Sequence, residues 1–239
     1  MKISSVLYAA IASVGVALAA IMPAQAFSVT FGEDSQSSNN PATGASAFVD
    51  FMFSDVSGGV QLTANITNTT GSSSFGAGAT TSKLTGIAFD LISGVGIDTN
   101  SFNTPEFLDT LLTNVDFNPF SNSVGNFDIA FADNNNFEGG NANGALSEGN
   151  STLASIVLTT GLGANAVEQA FFNGFSNGSL NFAARFQQVN AGAGSDKLLG
   201  GTINGGTTDP EPVPEPFTIL GSVTALGVGT LLKRKANKA

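Results

Sequence analysis

The stretch FVDFMFSDVSGGVQLTANIT, residues 48–67, decides the fold. Val49, Phe51 and Phe53 recur at every second position, and after a turn-rich run at 55–59 the same spacing returns in Val60, Leu62, Ala64 and Ile66. Gln61, Thr63, Asn65 and Thr67 fill the alternate positions. Because successive side chains of a strand point to opposite faces, this pattern describes a β-hairpin with one buried and one wetted face. Working outward, the sequence predicts further strands over 27–31, 84–91, 127–131, 153–159 and 180–189. In the last of these, Leu180, Phe182, Ala184 and Phe186 share one face, and Asn181, Arg185 and Gln187 share the other.

Two short helices are expected between the strands. Thr104 is placed to cap one, with Pro105 at its first position and Phe107, Leu108, Leu111 and Leu112 as its apolar stripe. A second opens at Asn165 and Glu168, runs toward Phe172 and ends at Gly174. The Ser-, Gly- and Asn-rich runs at 71–82 and 133–149 read as turns and solvated loops. Seven or more short strands with such punctuation predict an all-β chain, a single antiparallel β-sandwich of jelly-roll or immunoglobulin-like outline over 27–199. Residues 200–216, rich in Gly, Thr, Asp and Pro, read as an extended linker.

Composition narrows the chemistry. The chain has no Cys, His or Trp, and its one Tyr, Tyr8, lies near the N-terminus. Ser-His-Asp and Cys-His catalysis, His- or Cys-ligated zinc and phenol-based acid chemistry are therefore excluded. Without disulfides the domain must be held by its core, and all 20 Phe, the only aromatic type left, fall after residue 26. Setting aside Lys2 and the tail cations, only Lys83, Arg185 and Lys197 stand against 18 acidic residues. A surface of that sign repels phosphate backbones, which makes nucleic acid and anionic lipid poor partners.

Both ends carry addresses. Lys2 precedes an uncharged apolar stretch over 6–21, Pro23 follows, and Ala24-Gln25-Ala26 has the small-x-small pattern that signal peptidase accepts. Residues 1–26 are thus expected to form a signal helix, read by the export translocon and cut so that the mature chain begins at Phe27. At the other end, Pro214-Glu215-Pro216 is followed by sixteen uncharged residues, 217–232, and then by Lys233, Arg234 and Lys235. The prolines keep the motif extended, as a protease requires, the apolar helix at 217–232 enters the bilayer, and the cations stay at its cytoplasmic side. At 1.5 Å per residue the run spans about 24 Å, less than the roughly 30 Å hydrocarbon core, as suits a transient anchor.

These residues resemble the PEP-CTERM sorting signals, in which a Pro-Glu-Pro motif, an apolar helix and a basic cluster are recognised by the membrane protease exosortase. The resemblance covers about the last 27 residues, 213–239. It implies an exported bacterial protein, anchored transiently and then placed at the cell surface or in the extracellular matrix, with exopolysaccharide as its partner and a setting in biofilm. Thr218 to Ser222, Arg185-Phe186-Gln187 and Gly194-Ser195-Asp196-Lys197 further resemble the cyanobacterial cistern group of such proteins.

Candidate sites within the domain are few. Asp133, Asn135 and Glu138 offer hard oxygen ligands of the kind calcium takes. An EF-hand loop, however, would need an Asp or Asn at Phe137 and a Gly at Glu138, so a solvated loop without cofactor is the expectation. Paired carboxylates for glycan hydrolysis are available among the acids, but the Trp and Tyr faces that usually grip sugar rings are missing. The expectation is a non-catalytic protein, with a carboxylate-based hydrolase or glycan-binding module as the alternative. Acceptor patterns for glycosylation at Asn65, Asn68, Asn150 and Asn177 are what chance gives in a chain of this composition.

Overall fold

A computed structural model describes residues 25–139 and 142–206. Along the chain the strands are β1 (Gln25–Phe31), β2 (Gln36–Ser37), β3 (Ala47–Val56), β4 (Gly59–Asn68), β5 (Lys83–Phe89), β6 (Gly96–Asp98) and β7 (Thr110–Val115). There follow a short helix α1 (Ser121–Val124), strands β8 (Phe127–Ala132), β9 (Leu146–Ser147) and β10 (Ser151–Thr159), helix α2 (Ala164–Asn177), and strands β11 (Phe182–Gln187), β12 (Asp196–Leu199) and β13 (Thr202–Gly205). The first sheet has the order β13-β1-β3-β4-β10-β6 and the second β2-β12-β11-β5-β8-β7, with β9 paired to β5. Every pairing is antiparallel.

The period-two stripes build the core between the sheets. Val49, Phe51 and Phe53 from β3 and Val60, Leu62, Ala64 and Ile66 from β4 are all buried. They meet Leu84, Ile87 and Phe89 of β5, Ile129 and Phe131 of β8, and Phe182 and Phe186 of β11 in one apolar cluster. Phe51 meets Phe89 edge-on at 5.4 Å, and Phe31 meets Phe182 at 5.4 Å, so rings bridge the two layers. Each such pair adds to the area term by about 1 kcal/mol. The chain is a β-sandwich in which Phe does the work usually divided among several aromatic types.

Helix α2 joins this core through Val167, Phe171 and Phe175. Asp55, beside the β3–β4 turn, accepts the Ala164 N–H through Oδ1 at 2.8 Å and so caps the helix from another element. The helix runs past the expected stop at Gly174 and ends at Gly178, whose φ of 74° is left-handed. Gly174 is instead a close-packing point: a β-carbon there would stand 2.5 Å from a Leu180 methyl.

Two expectations are corrected. No helix forms from Thr104; Thr104 and Leu108 have φ of 42° and 58°, which a right-handed helix cannot use, and β7 pairs with β8 instead. Adjacent Leu111 and Leu112 then serve opposite faces, Leu111 packing on the main core and Leu112 on a second one. A helical stripe would have put both on one side, and the unpaired edge of β8 selects the strand. The linker, expected from residue 200, also starts later. Thr202–Gly205 pairs with β1 along Thr30 to Phe27, extending the domain to the last described residues. The remainder of the linker and the segment 217–239 lie outside the described residues, as do residues 1–24, where the signal helix was expected.

Candidate functional site: a loop layer closed by two cations

The outer face of the second sheet is covered. Ala88, Ala130, Ala132 and Ala183 leave shallow positions along it, and Phe117, Phe120, Phe127 and Phe137 fill them to form a second apolar cluster. Phe137 meets Phe117 edge-on at 4.8 Å and lies directly over Gly86, where a β-carbon would come within 2.5 Å of the ring. The Asn-rich run after β8 therefore folds onto the sheet. Its backbone is set by Asn side chains: Asn134 Oδ1 accepts the Asn136 N–H at 2.9 Å, and Asn136 Oδ1 accepts the N–H groups of Glu138 and Gly139 at 3.1 Å each.

Asp133 and Glu138, weighed above as calcium ligands against a solvated loop, are brought to this layer together with two cations. Lys197 pairs with Glu138 Oε2, donates to the carbonyl of Asn118 and lies 5.1 Å from the centre of the Phe117 ring. Arg185, only 7 % exposed, points its guanidinium into the same layer. Its Nη1 donates to Gly139 O and Thr85 Oγ1, each at 3.4 Å, and the Gln187 amide oxygen, turned toward it, accepts at 3.0 Å. Asn135 is exposed and takes no part. Arg185, expected on a wetted face, is buried because the loop layer covers that face.

Electrostatics follow from this burial. Loss of water lowers the Arg185 pKa from its usual value, against which the charges of Glu138 and Asp133 act. Burial pushes the Asp133 carboxyl up to about 6, with the Arg185 charge pulling in the other direction. Asp133 Oδ1 accepts from Asn134 at 2.7 Å, whereas Oδ2, like Glu138 Oε1, is buried without a hydrogen-bond partner. Glu138 turns to Lys197, and Asp133 to Asn134. Among the described residues no group of three or more acidic, His or Cys side chains is placed to hold a metal ion.

Of the other anticipated positions, Ala26 and Phe27 lie in β1, Phe27 buried with Phe51 and Phe53 within 6 Å of its ring. Ala24, Pro214, Glu215, Pro216, Lys233, Arg234 and Lys235 lie outside the described residues. Among the described residues no helix is long and apolar enough to cross a membrane. Arg185 and Lys197 are the site residues that the sequence reading passed over. Their signal was scarcity, since they are two of only three cations in the domain of so acidic a chain.

No family model matches the chain, and no curated protein and no solved structure is significantly similar to it. What the fold and the site define is an antiparallel β-sandwich with a third, loop-built layer locked by the domain's own cations.

Proposed function

We propose that the chain is an exported, non-catalytic protein of the bacterial cell surface or extracellular matrix. It is cut by signal peptidase after Ala26, held briefly in the membrane by residues 217–232, and processed by exosortase at Pro214-Glu215-Pro216. The reading includes exopolysaccharide as partner, a biofilm setting, a jelly-roll or immunoglobulin-like outline for the sandwich, and a cyanobacterial, cistern-like lineage. The observation that carries it is the ordered sequence of Pro-Glu-Pro motif, apolar run and Lys233-Arg234-Lys235 after an acidic domain.

The two halves of the tail have separable tasks. Membrane retention depends on apolar area, which the motif does not supply, whereas processing depends on the extended, carboxylate-bearing motif. In an exosortase-positive host, intact mass and fractionation should show the parent without its tail. The variant with Pro214, Glu215 and Pro216 all changed to Ala should stay in the membrane with the tail attached. Equal mass and equal fractionation of the two would make 217–232 an ordinary anchor and remove the sorting reading. N-terminal sequencing of the same material should begin at Phe27.

A further inference from the structure

The outer face of the first sheet differs from that of the second in having no loop layer among the described residues. One row crosses four neighbouring strands: Ser28 of β1 pairs with Asp50 of β3, Asp50 with Asn65 of β4, and Asn65 with Leu153 of β10. Phe48 and Met52 flank Asp50 on its own strand, two residues to either side, and so share the face. Phe48, Met52 and Leu153 belong to neither apolar core, and Leu153 is 52 % exposed. Around them the alternate positions of β4 carry only hydroxyl and amide groups, and Thr67 Oγ1 meets Ser151 Oγ at 2.7 Å in the adjoining row.

Charge distribution selects the occupant. Asp50 is the one ionisable side chain on the outward positions of these four strands. The three cations of the domain all lie on the second sheet, Lys83 in β5, Arg185 in β11 and Lys197 in β12. An anionic polymer would therefore meet a carboxylate with no cation beside it, and a polycation would find a single charge. Asp50 and Asn65 stand side by side, and among the described residues neither side chain has a hydrogen-bond partner. A carboxylate that only accepts, an amide that donates and accepts, and apolar side chains on either hand match a ligand that offers many hydroxyls and flat C–H surfaces. The face spans roughly 15 Å across these strands, a width that suits an extended chain and not a small molecule in a pocket.

We propose that this face, centred on Asp50, Asn65 and Leu153, binds an uncharged polysaccharide chain. Each site is weak, since Phe, Met and Leu replace the broader Trp and Tyr platforms, and retention comes from many sites along one polymer. The proposal rests on the surface-protein reading for its setting only.

The full chain in mild detergent is run in native gels cast with hydroxyethyl cellulose, dextran or alginate. Retardation is expected in at least one of the neutral polymers and not in the anionic alginate. Leu153→Asp and Asp50→Asn should each weaken it at least fivefold, while Leu162→Asp, at the other exposed large apolar residue, should leave it unchanged. The near-isosteric Asp50→Asn keeps the test valid if Leu153→Asp disturbs folding. The proposal is overturned by free migration in both neutral polymers, by equal retardation in alginate, or by equal behaviour of the Leu153 and Leu162 variants. It is likewise overturned by a shift to a self-associated species that Leu153→Asp disperses, which would make the face a contact between copies. Gel retardation does not read tail processing, so either proposal can fail while the other stands.

Discussion

Arg185 and Lys197 stand directly opposite each other on β11 and β12, two like charges in one cross-strand pair. Such a pairing is destabilising by itself, and here both groups are drawn into a layer partly shut off from water. Glu138, delivered by the loop after β8, pairs with Lys197 and is the largest charge effect acting on Arg185. The loop therefore supplies the charge that answers this pair.

Glu138→Gln should leave the two cations facing each other without an answering charge. Because Glu138 and Lys197 keep 31 % and 22 % of their side-chain surface, solvent screening holds the cost to about 1 kcal/mol. Adding Lys197→Gln should recover most of it. Urea unfolding of the parent, both single variants and the double variant gives the coupling, and purely additive effects would contradict the arrangement.

The raised Asp133 carboxyl makes a signed prediction about pH. Its folded pKa of about 6 lies above the ordinary 3.8, so between these values the folded chain holds a proton that the unfolded chain has released. Stability contributed by this group is thus full below about pH 4, falls as pH rises toward 6, and stays reduced above it. Asp133→Asn removes the titration and should stabilise at pH 7 relative to pH 4. With the discount for partial exposure, the difference is about 1 kcal/mol. Unfolding curves of parent and variant at pH 4, 5, 6 and 7 check it, and a gap that does not change with pH would place Asp133 outside the layer.

Gly86 tests the steric half of the same layer. A methyl group there would stand 2.5 Å from a Phe137 ring carbon and 2.9 Å from the Phe131 carbonyl oxygen, one movable neighbour and one fixed. Gly86→Ala should cost roughly 2 kcal/mol by overpacking and expel Phe137 from its seat. Hydrogen exchange of the loop amides at Glu138 and Gly139 should speed up in this variant more than that of β4.

The sandwich was legible because its stripes have period two and bury one face each, and the predicted β3–β4 hairpin falls within the observed strands. The helix expected at Thr104 was not separable from a strand by spacing alone, since Leu111 and Leu112 satisfy either geometry when neighbours on both sides are apolar. Strand β13 could not be read because Thr202 to Gly205 pack little and gain their conformation from pairing with β1. For the loop layer the legible signs were local: the Asn turns, the acids and a lone Phe137. What brings them onto Arg185 and Lys197 is contact between residues some 50 positions apart, which a single sequence does not display.

If the chain is cut after Ala26, as proposed above, the fold sets when that cut can occur. The bond between Ala26 and Phe27 lies inside β1, where Ala26 pairs with Met52 of β3, and Phe27 pairs with Phe51 on one side and Gly205 of β13 on the other. The Phe27 ring is also buried, 2 % exposed, against Phe51 and Phe53. A protease that binds its substrate as an extended strand with its small side chains in pockets cannot reach a bond already paired on both sides. Cleavage after Ala26 should thus precede docking of β1, during or just after translocation. Full-length precursor kept unfolded in urea and diluted into signal peptidase should be cut to a product beginning at Phe27, whereas precursor refolded beforehand should be cut at least tenfold more slowly. Weakening the pairing with Val49→Pro, which removes a β3 N–H and stiffens the partner strand, should restore cleavage of the refolded material. Equal rates for the two preparations would mean that the start of β1 is not held in the sheet, and no cleavage of either would remove Ala26 as the processing site.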